Sequence, residues 1–390
     1  MGGTYIFYSL LLAFMISFSL PSVKADSYYE LPQPGQYWRS NVTSIILLYT
    51  FIIGCRYLVG LDYEAYLGWY IQLTQTGVYP RDIEFGYEML NKLLYYLHAH
   101  FSFLFIIIAF LQIFFLYKSL QKFPFILPWY IFFFFTTLLM FSSMNIMRQT
   151  LAYFIFFYAL NEAIEKRFLK VTLLCIFGFS FHKSMLIVVM LIPLLGFDWF
   201  KNKYIQLGLL FFVTVFSSRI LDFVLQTTAP IISLVGYDYY VENLDYMREI
   251  TEANTVGAGT SRLLFFVIDL VVILTSDRLK VMFNEYHFYK YYNLYFAGAL
   301  LERIVYDNFI LARTNDYLLN FRTLILSFLC FHLFSAKSNR VLKQIVGTFI
   351  VLAMLAFFYR AIYNAAAQTS PFRFLFFEEN VSPKAIDDQE

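Results

Sequence analysis

The chain is expected to be an all-α, polytopic membrane protein, and three observations carry that expectation. Its composition is 60% hydrophobic and only 14% charged, with a mean hydropathy of +0.61. A soluble domain holds roughly a quarter charged residues. Long Phe/Leu/Ile-rich runs alternate with short polar loops along all 390 residues. Lys and Arg gather in every second loop. Water cannot surround so apolar a surface, but lipid can, and a helix satisfies its own backbone there. The formal net charge is only +2 and the basic residues form no nucleic-acid pattern, so nucleic acid is not an expected partner.

Apolar runs place spans near 4–21, 41–59, 100–117, 125–142, 148–164, 168–182, 184–199, 204–225, 262–276, 291–311, 316–335 and 343–362. They predict about 11–12 transmembrane helices in a single transmembrane domain, 1–390. Several runs fall short of the roughly 20 residues that cross a bilayer, so tilted or re-entrant helices are expected among them. The first run precedes Ser22-Val23-Lys24-Ala25, which resembles a signal-peptidase site. Met1-Gly2-Gly3-Thr4 lacks the basic n-region of a signal peptide, so a retained helix is expected. The basic loops hold Lys118 and Lys122; Lys166, Arg167 and Lys170; Lys201 and Lys203; Arg278, Lys280 and Lys290; Lys337, Arg340 and Lys343. All five share one parity, which places them in the cytoplasm. The opposite face then receives the two longest polar stretches, 60–98 and 226–262. Long loops on one face commonly carry function. Cys55, Cys175 and Cys330 lie far apart in apolar sequence and read as packing residues. The end of the tail, Pro383 to Glu390, is expected to be disordered.

Polar residues within or beside the spans are costly and point to function. Arg56 sits in an apolar run and cannot shed its charge. It either snorkels to headgroups or meets an anion: Asp62, Glu64 or a phosphate. Asp82, Glu84 and Glu88 lie within Pro80 to Glu88, and a helix puts the two glutamates on one face. Paired carboxylates can supply a general base, although a solvated loop has the same composition. Asn145, Arg148 and Gln149 form a polar knot between two apolar helices. His182 and Lys183 share a tight turn. Glu302, Arg303 and Asp307 lie deep in a span, where an internal Arg303–Asp307 pair is the structural reading, and Ala312 to Tyr317 follows with Arg313. Gly257 to Arg262 is glycine-rich and lacks the Gly-Lys-Ser/Thr ending of a Walker loop. No ligand spacing for a metal is visible, and no metal or cofactor is expected.

Taken in order, these segments resemble the EpsG/Wzy family of exopolysaccharide and O-antigen polymerases. The matching residues are Arg56-Tyr57, Gly60, Asp62 and Tyr66; Glu84-Phe85-Gly86-Tyr87; Arg148-Gln149-Thr150-Leu151-Ala152; Phe181-His182-Lys183-Ser184; Ala312-Arg313 with Tyr317; and Pro371-Phe372-Arg373-Phe374. The Arg-Gln and Phe-His-x-Ser pair is the most specific part. The glycine-rich loop matches only as Gly257-x-Gly259. The resemblance implies an enzyme of the bacterial inner membrane that joins polyprenyl-diphosphate-linked oligosaccharide units at the periplasmic face. It implies membrane lipid around it, and a flippase and a chain-length regulator as partners. Asp62, Arg148, His182 and Arg313 are the expected catalytic residues. Arg56, Tyr66, Glu84, Gln149, Arg262 and Tyr317 are expected at the substrate. Planar guanidinium groups suit a departing diphosphate, a carboxylate or His suits the acceptor hydroxyl proton, and Tyr suits sugar stacking.

Two further readings use the same residues. A ligase that moves finished glycan to another lipid needs the same diphosphate-binding arginines. A flippase for a lipid-linked sugar needs charge along a path through both leaflets, whereas the notable charges here cluster at one face, Glu302 and Arg303 excepted.

Overall fold

The computed structural model describes residues 2–20, 37–80, 83–234, 258–306, 309–335 and 340–377. Arg81, Asp82, Asp307, Lys337, most of the 226–262 stretch and the tail from 378 lie outside them. Among the described residues the fold is all-α. The one extended pairing there is an isolated bridge between Arg56 and Phe374.

Among the described residues, six helices are long and apolar enough to cross a bilayer: Gly2–Ser19, Ser102–Leu120, Lys203–Phe223, Gly259–Met282, Leu311–Ser335 and Val341–Tyr363. A seventh is added if Pro124–Thr136 and Leu139–Asn145, bent by 60°, form one span. The chain is therefore a multi-pass membrane protein. Apolar runs suggested more crossings, and the others fall on shorter or broken helices, or on helices of full length with more polar residues, Met147–Ile164 and Phe288–Val305. Run 41–59 stops as a 15-residue helix at Gly54, about 22 Å long against a hydrocarbon core of roughly 30 Å. Run 184–199 contains only Met185–Val189 and a 3₁₀ turn, Ile192–Gly196, around Pro193. Run 125–142 breaks at Leu138, whose φ is +65°.

The described chain divides into two compact units, Met1–Ile192 with Met354–Glu390, and Pro193–Ala353. In the first, the helices are α1 (Gly2–Ser19), α2 (Ser40–Gly54), α3 (Tyr63–Thr76), α4 (Phe85–Tyr96), α5 (Ser102–Leu120), α6 (Leu127–Thr136), α7 (Leu139–Asn145), α8 (Met147–Ile164), α9 (Phe168–Phe181) and α10 (Met185–Val189). The stretch 60–98 is thus largely two helices, α3 and α4, rather than irregular loop. Helix α5 packs on α2 and α8, α8 on α9, and α1 on α6. The break between α7 and α8 would strand backbone carbonyls in apolar surroundings. Gln112 spans it, donating Nε2 to the Ser143 carbonyl in the last turn of α7 at 3.0 Å and to the Met147 carbonyl at the start of α8 at 2.8 Å. At one end of this unit Lys122 Nζ donates to Glu165 Oε1 (2.8 Å) and to the Asn161 carbonyl (2.9 Å). Two of the basic loops therefore share an end.

The second unit holds α11 (Lys203–Leu234), α12 (Ala258–Met282), α13 (Phe288–Val305), α14 (Phe309–Leu319) and α15 (Phe321–Ser335), and the division falls within α16 (Arg340–Tyr363). Lys280 Nζ donates to Asp198 at 2.8 and 3.0 Å, and Lys203 Nζ lies 3.5 Å from Asp277. Here too the basic loops come together. Gly259 to Arg262 is already helical, so these residues form no open loop of amides around a phosphate.

Candidate functional site

The end of the first unit away from Lys122 collects four segments that are far apart in sequence. The first is the turn 55–62 that leads into α3. Gly60 takes φ +106°, and a Cβ there would meet the Met144 carbonyl oxygen at 3.1 Å. Glycine thus lets the turn lie against the α7 end, where Asn145 Oδ1 accepts the Asp62 backbone N–H at 2.9 Å. The C-terminal segment braces the same turn. Tyr57 N–H donates to the Arg373 carbonyl, and Gly60 N–H to that of Gln368, both at 3.0 Å.

Arg56 is 2% exposed and holds this turn from inside. Its Nε, Nη1 and Nη2 donate to the carbonyls of Val59 (3.1 Å), Ile53 (2.6 Å) and Met144 (2.8 Å). The guanidinium also sits over the rings of Phe105 and Tyr63, 5.0 and 5.6 Å from their centres. A charge that cannot be shed is here neutralised by carbonyl dipoles and ring faces.

Glu84 precedes α4 in extended conformation and makes no hydrogen bond to cap its own helix. Its carboxylate reaches across instead. Oε2 accepts from Arg148 Nη1, and Oε1 accepts the Lys183 backbone N–H at 3.1 Å. Helices α4 and α9 can come this close because Gly86 lies against Ser180, leaving no room for a Cβ. Burial works to raise the Glu84 carboxyl, but the Arg148 charge, backbone N–H donors and the His182 ring outweigh it and hold it below the usual carboxylate value.

Arg148 is the second residue of α8. Three ring faces surround its guanidinium, with centroids at 5.3 Å (Tyr87), 5.8 Å (Tyr66) and 6.0 Å (Trp69). Tyr66 and Tyr87 are buried and contact each other edge to face. His182 Nδ1 lies 2.6 Å from Ser184 Oγ, on the turn that carries Lys183. Gln149, beside Arg148, is buried within the unit. Asp62 ends up at the start of α3 without capping it. Among the expected site residues, Asp62, Tyr66, Glu84, Arg148 and His182 thus share one end, while Arg56 is spent on the scaffold beneath. Trp69 and Tyr87 complete the ring box; Tyr87 is among the residues that carry the resemblance, but neither was expected at the substrate. Their spacing to Tyr66 and Glu84, one helical turn each, was the available signal.

The other expected residues belong to the second unit. Arg262 is exposed, 3.4 Å over the centre of the Tyr306 ring. Arg313 is half-buried, and Tyr317 is fully buried on the same helix. Within this unit Asp269, wholly buried, accepts from Arg303 Nη2 (2.9 Å), Arg322 Nη2 (3.1 Å) and Tyr295 Oη (2.6 Å). Arg322 also grips Glu302 with both Nη atoms, at 3.0 and 2.5 Å. Arg303 therefore pairs with Asp269, an acid in an apolar run that sequence reading passed over; Asp307 lies outside the described residues. Among the described residues no group of three or more His, Cys, Asp or Glu is placed to hold a metal ion.

The model of the EpsG family matches residues 41–374, and the chain belongs to that family. No curated protein and no solved structure matches it.

Proposed function

We propose that this member of the EpsG family is a glycan polymerase, which joins polyprenyl-diphosphate-linked oligosaccharide units at the periplasmic face of a bacterial inner membrane. One observation carries the reading. Arg148, Glu84, His182 and the Asp62 turn come from four separate segments, and all four segments carry the family resemblance. The reaction breaks the bond between the anomeric carbon and the diphosphate oxygen, and that oxygen leaves with the electron pair. A hydroxyl oxygen of the acceptor sugar bonds to the same carbon, and its proton passes to a base. Arg148 meets the charge that builds on the leaving diphosphate, with bidentate geometry that Lys cannot supply. His182 adds a second donor. Asp62 is the base: it lies on the turn that follows Arg56 in the first segment of the resemblance, beside the α7 end that leads to Arg148. The rings of Tyr66, Trp69 and Tyr87 give Arg148 a fixed platform and a surface suited to sugar faces. The gathering of the basic loops at one end of each unit supports a cytoplasmic assignment for those ends.

The test is a glycan ladder from cells carrying Arg148→Ala, read beside protein level. Loss of one such donor costs about 10²–10³-fold in rate, so only a single repeat unit should remain on the surface lipid. Arg148→Lys should restore part of the ladder. A full ladder from Arg148→Ala would remove Arg148 from the site. Loss of the single-unit band as well would favour a flippase or a ligase.

A further inference from the structure

The Glu84 carboxylate sits where an anionic ligand would sit. It is held by a guanidinium nitrogen of Arg148 and the main-chain N–H of Lys183, with His182 close enough to act on its charge. These donors come from two elements, and the acid that fills them from a third. The set of groups is that of a phosphate site: a planar cation and a backbone N–H that donate, with an imidazole beside them. The carboxylate makes no cap hydrogen bond to its own helix. Its reach to Arg148 spans 64 residues of sequence. Both side chains keep some contact with the outside, 15% for Arg148 and 11% for Glu84.

We propose that Arg148, the Lys183 N–H and His182 form a phosphate subsite, and that Glu84 occupies it until a phosphate oxygen of the substrate displaces it. This deepens the polymerase reading and rests on it for the identity of the natural ligand, a lipid-linked diphosphate. It adds the Lys183 main chain as a ligand and makes Glu84 a competitor of the substrate. A phosphoryl oxygen replaces a carboxylate oxygen at each donor, so no buried donor is left empty during the exchange. The released carboxylate swings to water. Empty, the subsite would expose an unpaired guanidinium on three aromatic faces; filled by Glu84, it rejects weak anions such as chloride.

The experiment measures binding of inorganic pyrophosphate, and separately of farnesyl diphosphate, to the purified full-length protein in detergent by calorimetry. Glu84→Gln keeps the shape and removes the competing charge. It should bind both probes about tenfold more tightly than wild type, a change of about 1.4 kcal/mol. Adding Arg148→Ala to Glu84→Gln should erase that gain. Glu84→Asp withdraws the carboxylate by one methylene and should bind with a smaller gain, which keeps a readout if the Gln variant is poorly folded. Equal or weaker binding by folded Glu84→Gln would overturn the proposal. So would a gain for farnesyl diphosphate alone, since the subsite is defined by phosphate and not by the prenyl chain. Tighter pyrophosphate binding in a protein that makes no glycan ladder would keep the subsite and defeat the polymerase reading. A ladder with unchanged pyrophosphate binding would do the reverse.

Discussion

Each unit buries arginine against carboxylate, but the two arrangements differ in how much is closed. In the second unit Asp269 takes three donors, and Arg322 spreads over Asp269 and Glu302. The Arg303 and Arg322 side chains are only 7% and 5% exposed, and Asp269 is 0% exposed. Two positive and two negative charges cancel within one network, at a depth where each alone would be prohibitive. In the first unit one carboxylate faces one guanidinium, both partly open, and a main-chain N–H completes the contact. The closed network is already balanced in charge, so an added anion would upset it. On the proposed reading the open pair exchanges its anion, so in this protein it is replaceable charge, not buried charge as such, that marks the site.

Asp269→Ala should unfold the second unit. It leaves Arg303 and Arg322 with one carboxylate between them, and such a loss costs about 3–5 kcal/mol. Protein level and the thermal midpoint in detergent should both collapse. A stable, correctly inserted Asp269→Ala protein that makes no polymer would instead move the network to the substrate.

Arg56 tests the comparison inside the first unit. Its alanine variant strands the carbonyls of Ile53, Val59 and Met144, and a stranded buried polar group costs roughly 1–3 kcal/mol. The midpoint should fall together with polymer, and Arg56→Lys should recover only part of both, since one ammonium cannot span three carbonyls. Full stability with lost polymer would make Arg56 a substrate ligand after all.

The smallest effect is expected from Glu84→Gln, about 1 kcal/mol or less for a partly open pair at neutral pH. Acid separates it from wild type. The folded state holds the Glu84 carboxyl below its ordinary value, so its contribution is present above the unfolded value near 4.3, and it is lost as pH falls through the folded value. The wild-type midpoint should therefore drop toward that of Glu84→Gln below about pH 4. Parallel curves from pH 7 to pH 3 would show that the pair adds nothing to stability.

Local sums were legible in the sequence. Apolar runs set the all-α membrane class, because hydropathy adds residue by residue along a helix. Loop charge grouped Lys122 with the 166–170 turn and Lys203 with Lys280, and those pairs of loops do share ends. The motifs with Arg148, Glu84 and His182 also stood out before the fold was known. Helix length was less legible, since Leu138 and the 3₁₀ turn around Pro193 break runs that hydropathy reads as continuous. Only the tertiary structure decided which partner each charge takes. Arg303 turns to Asp269, 34 residues away, Arg148 to Glu84, 64 away, and Arg56 to carbonyls from two segments. A charge in lipid must be neutralised, which the sequence alone dictates. The choice among chemically equivalent neutralisers belongs to helix packing, where a glycine at 60 or 86 sets the approach of whole elements.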